Sequence, residues 1–374
     1  MDASDSKVSE IYGSLDYPYY IYAPRWIESS AGIKALHFLC HALNSKGKKA
    51  FLVLTEPPHG GKPRVNPLLS TPILHQETAD AHYEAGLTPV VIYSETIPGN
   101  PLGGTCVVRY LMNYAGLLGG IKIFDEMEMI YSFSENIAND YADVAKVPKP
   151  PVLFLPPIDP RHFHPTEEKK PFQVVYAGKY RSFVGRPPKV GSLPSVEVFR
   201  DGPRMQSRSQ VINLLRDASR VYSFENSSIV TEAILSGTPA YFVPNEFLGE
   251  VIAEHELGSG GLATEDSDEA FNVAKKTIED GIKTYFASID KFMSDLDGFI
   301  LSTQERAATE GFQMPITLPE YAHLVNTHRI GLARQIIKNQ GFLIFLRVAF
   351  HFVLRRLSWR YWMGAENKKS FYVP

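Results

Sequence analysis

Short apolar runs alternate with stretches of helical period from residue 19 to about residue 264. The run Tyr-Tyr-Ile-Tyr-Ala at 19–23 predicts a strand, because aromatic and β-branched side chains suit a pleated, buried surface. Residues 33–43 carry apolar side chains at helical spacing, Gly47 closes that helix, and 50–54 reads as the next strand. The apolar runs 72–74, 89–93 and 130–133 continue the series, and 107–116 reads as a helix following the 95–104 loop. A dense proline cluster at 148–171 interrupts the pattern and predicts a link between domains, after which the alternation restarts at 172–177. Strands alternating with helices imply parallel, doubly wound sheets, and 374 residues exceed one ordinary core. The expected fold class is α/β, with Rossmann-like domains at 1–155 and 156–310. Residues 311–374 are then expected to form helices that cross back to the first domain and end in an amphipathic extension.

Within the second domain, residues 221–244 concentrate the most chemistry. A strand over 220–224 runs into the polar loop 225–228, then into a helix that Gly237 stops, and a strand over 240–243 follows. Open α/β sheets bind ligands at the carboxyl ends of their strands, and the free N–H groups of the following helix favour phosphate. Asn226, Ser227 and Ser228 either cap that helix or bind phosphate oxygens, two roles that look alike in sequence. Glu232 sits one turn into the helix, where a carboxylate suits the two donor hydroxyls of a ribose. The segment therefore reads as a site for a nucleoside diphosphate. In Ala-Gly-Lys-Tyr-Arg at 177–181, Lys179 and Arg181 follow a strand and are placed to face a diphosphate, with Gly178 allowing close backbone approach. Arg204 and Arg208, ahead of the helix at 210–215, are further phosphate candidates.

Glu-Ala-Ile-Leu-Ser-Gly-Thr-Pro at 232–239 resembles the Glu-Ala-x-x-x-Gly-x-Pro signature in the donor domain of GT-B glycosyltransferases. The resemblance assigns ribose binding to Glu232. Many retaining members carry a second Glu eight positions earlier; Phe224 stands there, and Glu225, seven before Glu232, is the candidate donor-sugar ligand that the resemblance implies. Ile158, Asp159, Phe163 and Pro165 are similar in spacing to the segment that joins the two domains in that family, with Pro156-Pro157 replacing its Asn-Gly pair. A third stretch, from Glu95 through Gly99-Asn100-Pro101-Leu102 to Val107-Val108-Arg109, resembles bacterial transferases that build surface polysaccharides such as O-antigen and capsule. What this implies is transfer of a sugar from a nucleotide sugar to a glycan or lipid-linked glycan acceptor, without a bound metal or other cofactor. Glu95, at a strand end, is then the candidate base or orienting group for the acceptor hydroxyl. Asn100, Gly103, Gly104 and Arg109 fall on the acceptor side, and Glu95 and Lys179 are the catalytic candidates. Two other readings stay open: a sugar-nucleotide 2-epimerase of the same fold, and a non-catalytic subunit of a membrane glycan synthase.

A net charge of −3 gives no reason to expect a nucleic-acid partner. Cys40 and Cys106 lie in apolar surroundings and read as buried thiols, and the polar amino terminus lacks the apolar core of a signal peptide. Asp295 and Asp297 fall in a helical stretch, and His162 and His164 in the proline-rich link, so neither pair reads as a metal site. Residues 341–362 form an amphipathic pattern in which Arg347, His351 and Ser358 share a narrow stripe against Phe, Leu, Val and Trp. Arg347, Arg355, Arg356 and Arg360 argue against a spanning helix and suit an interface with anionic headgroups. Packing across the first domain is the other placement open to this helix. The expectation is a cytoplasmic protein attached peripherally to the inner face of the membrane.

Overall fold

The computed structural model describes residues 16–56, 64–199, 203–246, 248–310 and 313–318. The expected tail helix at 341–362 lies outside the described residues. In the first domain, β1 (Tyr19–Ala23) leads to α1 (Ala31–Ser45), β2 (Ala50–Leu54), α2 (Gln76–Glu84), β3 (Val90–Ser94), β4 (Cys106–Leu111), β5 (Met129–Ser132) and α3 (Glu135–Ala145). The strands pair in parallel in the order β2-β1-β3-β4-β5. In the second, β6 (Lys170–Tyr176), α4 (Lys179–Phe183), β7 (Ser195–Val198), α5 (Arg208–Asp217), β8 (Ala218–Ser223), α6 (Ser228–Leu235) and β9 (Ala240–Phe242) build a parallel sheet ordered β7-β6-β8-β9. The helices α7 (Glu254–Leu257), α8 (Asp268–Lys276) and α9 (Ile278–Thr309) follow. The α/β class and the two Rossmann-like units are as expected.

Two expected elements differ. Residues 106–111 are the strand β4, not part of a helix. Cys-Val-Val-Arg-Tyr-Leu is β-branched and aromatic, and all six residues are buried between covered faces, the environment of a central parallel strand. Residues 72–74 contribute only a single bridge, Leu52 to Ile73.

The proline-rich link is less of a tether than its composition implied. Val152 bridges to Ser132, and Leu153, Phe154 and Leu155 are buried in or beside the first core. Beyond it, both backbone groups of Ile158 meet the Tyr285 hydroxyl, which accepts from Ile158 N at 3.0 Å and donates to Ile158 O at 2.7 Å. Asp159 caps the short 3-10 turn Pro160–His162.

A return to the first domain is already under way before residue 311; residues 313–318 lie on that domain with Ile316 in its core, and 319–374 lie outside the described residues. The return is made within α9, 32 residues and roughly 48 Å long at 1.5 Å per residue. Its buried stripe Tyr285, Ser288, Phe292, Leu296, Phe299, Thr303 and Ala307 repeats every three or four positions. Tyr285 packs with Ile158, Phe163 and Leu235, whereas Phe292, Leu296 and Phe299 join Tyr19, Cys40 and Leu43 of the first core. The start of α9 is pinned by contact between two glycines: a Cβ on Gly281 would stand 2.4 Å from Gly260 O. Cys40 and Cys106 are both free and buried. Among the described residues, no helix is long and apolar enough to cross a membrane.

Candidate active site

Each sheet has one point where the chain turns from one neighbour to the other, and there the strand ends splay open. In the first sheet it lies between β1 and β3, in the second between β6 and β8. The residues that follow these four strands meet in one cavity of about 320 Å³ between the domains. Pro24 and Ser29–Ile33 come from the β1 side, and Ser94, Glu95 and Thr96 follow β3. Lys179 follows β6, and Asn226, Ser227 and Ser228 follow β8. Two helix amino termini, those of α1 and α6, therefore open on the same space, and their N–H groups and dipoles favour a negative charge there.

Glu95 is 3% exposed and accepts from Met112 N at 3.0 Å. Burial pushes its carboxyl up to about 7; the N–H groups of Met112 and Glu95 itself, then the charges of Lys179 and Arg109, oppose the rise. A group with that value is half ionised at neutral pH and is suited to proton transfer.

Lys179 opens α4 after Gly178, whose φ of +50° an L side chain rarely adopts. A Cβ on Gly178 would lie 2.3 Å from Glu225 Oε1, so the glycine makes room for that carboxylate. Glu225 is 2% exposed and accepts from Lys179 N at 2.6 Å. Its place is under the Lys179 turn, and it does not line the cavity. Asn226 is likewise committed. It donates to Glu250 O at 2.6 Å and accepts from Ile252 N at 3.0 Å, tying the 250–252 loop across the start of α6. Ser227 is the cap residue of α6 yet its side chain makes no capping hydrogen bond. Ser227 lines the cavity without serving as a side-chain cap.

Glu232 is 3% exposed, accepts from Arg208 Nη1 at 2.8 Å and from Ser228 Oγ at 3.4 Å, and is not among the residues that line the cavity. Arg208 also lies 3.7 Å from Glu28 of the first domain and sits over the ring of Phe163. The two motifs read separately in sequence, at 155–165 and 232–239, thus meet at one guanidinium. Arg181 pairs with Glu197, and both it and Arg204 lie over the ring of Phe199. Neither lines the cavity.

The acceptor-side candidates separate. Arg109, placed on a helix by sequence, lies inside β4 and has no exposure. It makes a bidentate pair with Glu128, both bonds at 2.8 Å, and donates to Ser94 O, Ile97 O and Gly99 O. Its role is to hold the backbone around Glu95. Asn100 accepts from the Tyr93 hydroxyl and closes a loop onto Gly104 through both of its amide atoms. Gly103 has φ of +65°, and a Cβ on Gly104 would meet Val91 at 2.5 Å. These three shape the loop outside the cavity. Asp295 and Asp297 sit in α9 beside Lys291 and Lys46, and His162 is near Asp159.

Sequence reasoning missed the first-domain wall. Ser29-Ser30-Ala31-Gly32 after β1 carries the usual marks of a helix start, a serine cap and a small residue, and Ser30 does accept from Ile33 N. The pattern was legible, but nothing in it distinguishes a helix start that faces a ligand from any other.

No family model matches this chain, and no curated protein does. Solved structures similar to it include WaaG, a glycosyltransferase involved in lipopolysaccharide biosynthesis, at 10% identity over 84% of this chain and 99% of that one, with a TM-score of 0.40. A glycosyltransferase from Rickettsia africae ESF-5 is 10% identical over 87% of this chain and 100% of that one, TM-score 0.38. Os79 from O. sativa in complex with UDP is 10% identical over 78% and 100%, TM-score 0.35. At these values the likeness fixes neither family nor activity, and function has to be sought in the side chains of the cleft.

Proposed function

We propose that the chain transfers a sugar from a nucleoside-diphosphate sugar to an acceptor hydroxyl in the cavity between the two sheets. The observation that carries this reading is the meeting of both topological switch points in one cavity, with a carboxyl of pKa about 7 on one side and a lysine with a helix amino terminus on the other. Glu95 takes the proton of the acceptor hydroxyl as its oxygen bonds to the anomeric carbon. The bond from that carbon to the diphosphate oxygen breaks, and the leaving group keeps the electron pair. Lys179 and the N–H groups at the start of α6 stabilise the charge that develops there. Glu232 takes the ribose hydroxyls by its place in the 232–239 motif, and because it does not line the cavity while paired, binding there requires the Arg208–Glu232 pair to part. This chemistry needs no metal ion or other cofactor.

The test of the donor site is thermal unfolding with UDP, GDP, dTDP and CMP on the wild type and on Glu232→Ala. A nucleotide at about 100 times its Kd stabilises by about 2.7 kcal/mol, a rise of several degrees. One nucleotide is expected to produce it, and Glu232→Ala to abolish it. If none of the four moves the transition, the donor reading fails.

The same reading places the acceptor in bacterial surface-polysaccharide assembly, lipid-linked, with the protein cytoplasmic and held peripherally to the membrane by residues 341–362. Support comes from the basic, aromatic pattern of that segment. Removing residues 341–374 is expected to release the protein from membrane fractions, and continued sedimentation of the truncated chain would end the idea.

A further inference from the structure

The cavity continues past its charged groups. Along α6 the exposure falls from the half-buried Ser227 and Ser228 to Ile234 and Leu235, which are 8% and 3% exposed. Phe133 and Phe154 of the first domain and Leu257 of the second wall this part, and Tyr285 of α9 adds its ring. The Tyr285 hydroxyl is turned away, occupied by both backbone groups of Ile158. A buried water is held by about three polar partners, and this stretch offers few. This apolar part, the bore, is suited to hydrocarbon, and Glu95 and Lys179 line the same cavity.

We propose that the bore takes the hydrocarbon portion of an amphiphilic acceptor, whose hydroxyl lies at Glu95 and whose chain runs along α6. This rests on the transfer reading above and narrows it. The whole cavity, its charged end included, is about 320 Å³, at the lower end of ligand sites, so its apolar part reads only the stretch of chain nearest the hydroxyl. The acceptor is therefore a lipid, or a glycolipid with its hydroxyl within about one sugar of the chain, and not the far end of a long glycan. The nucleotide is the rival occupant. Base, ribose and diphosphate carry polar atoms on every side, and burying these against Phe154, Leu235 and Leu257 leaves them unpaired. Arg208 and Glu232 offer them partners outside the bore.

The experiment is calorimetric titration of the full chain with alkyl β-D-glucopyranosides of one, four, seven and ten carbons, each below its micelle concentration. Affinity is expected to rise roughly fourfold per methylene until the bore is full, which makes the decyl glucoside at least about a hundredfold tighter than the methyl. Leu257→Trp narrows the apolar part from the second domain and Phe133→Trp from the first. Each is expected to weaken decyl binding at least about tenfold. The thermal shift with the best nucleotide of the panel above should be unchanged, which also shows that both variants fold. A flat chain-length series overturns the proposal. So does a dependence that survives both tryptophans, or competitive displacement of the decyl glucoside by that nucleotide. Failure of every nucleotide to bind the wild type removes the transfer reading instead, and the chain-length series still decides whether the bore takes hydrocarbon.

Discussion

Glu95→Gln is expected to lower turnover by about 10²–10⁴ with little change in nucleotide affinity, the usual effect of removing a general base. The amide keeps the shape of the side chain and still accepts from Met112 N, so the loss reports the proton acceptor alone. Wild-type kcat/KM should fall as pH drops through about 7, where the buried carboxyl takes up its proton, and the residual activity of the variant should lack that limb. Stability moves the other way. The folded-state pKa of Glu95, about 7, lies above its ordinary value of 4.5, so the protonated carboxyl contributes stability that is complete below about 4.5 and lost as pH rises through 7. Above that, ionised Glu95 costs about 3 kcal/mol at 1.36 kcal/mol per unit, a cost the variant does not bear. The variant should therefore melt higher than wild type at pH 8 and with it near pH 4.5. A variant within tenfold of wild-type turnover, with an unchanged pH profile, would reduce Glu95 to an orienting group.

That carboxyl was legible in the sequence because a charged residue directly after an apolar run marks a strand end, where open sheets gather their ligands. The same logic placed Lys179 and the 226–228 loop, and all of these line the cavity. Arg109 was not legible in the same way. An arginine among Val, Tyr and Leu looks like the polar face of a helix, and only the fold reveals Glu128, nineteen positions later, as the partner that lets it be buried in a strand. The bonds of Glu225 and Asn226 were not legible, because sequence shows what type of group stands in a loop but not which way it turns. One sits under Lys179 N and the other on the 250–252 backbone. The apolar bore was invisible for a related reason. Its walls come from both domains and α9, and each residue alone reads as ordinary core. That α9 already passes from one core to the other was not legible, because the stripe from Tyr285 to Ala307 has one unbroken period, and period does not report which core each part of it meets.

Arg109 carries the largest stability effect. Its guanidinium has no exposure, bonds Glu128 in a bidentate fork, and spends its other donors on the carbonyls of Ser94, Ile97 and Gly99, with the rings of Tyr93 and Phe124 at 5.1 and 4.7 Å. Removing one partner of such a pair leaves the other charge buried and uncompensated, which costs about 3–5 kcal/mol, far above the net value of the pair itself. Arg109→Met is therefore expected to lower Tm by on the order of 10 °C. Adding Glu128→Leu removes the stranded carboxylate and should recover a large part of the loss. Full recovery is not expected, because three carbonyls around Glu95 still lack their donor. Those carbonyls separate structure from function. In the double variant the fold returns, but the 94–99 backbone has lost its anchor, so turnover should stay depressed while nucleotide-induced stabilisation is restored. A double variant that regains both stability and turnover would show that the pair serves the fold alone. A single variant that loses less than about 1 kcal/mol would mean that Glu128 finds another partner or becomes protonated at little cost.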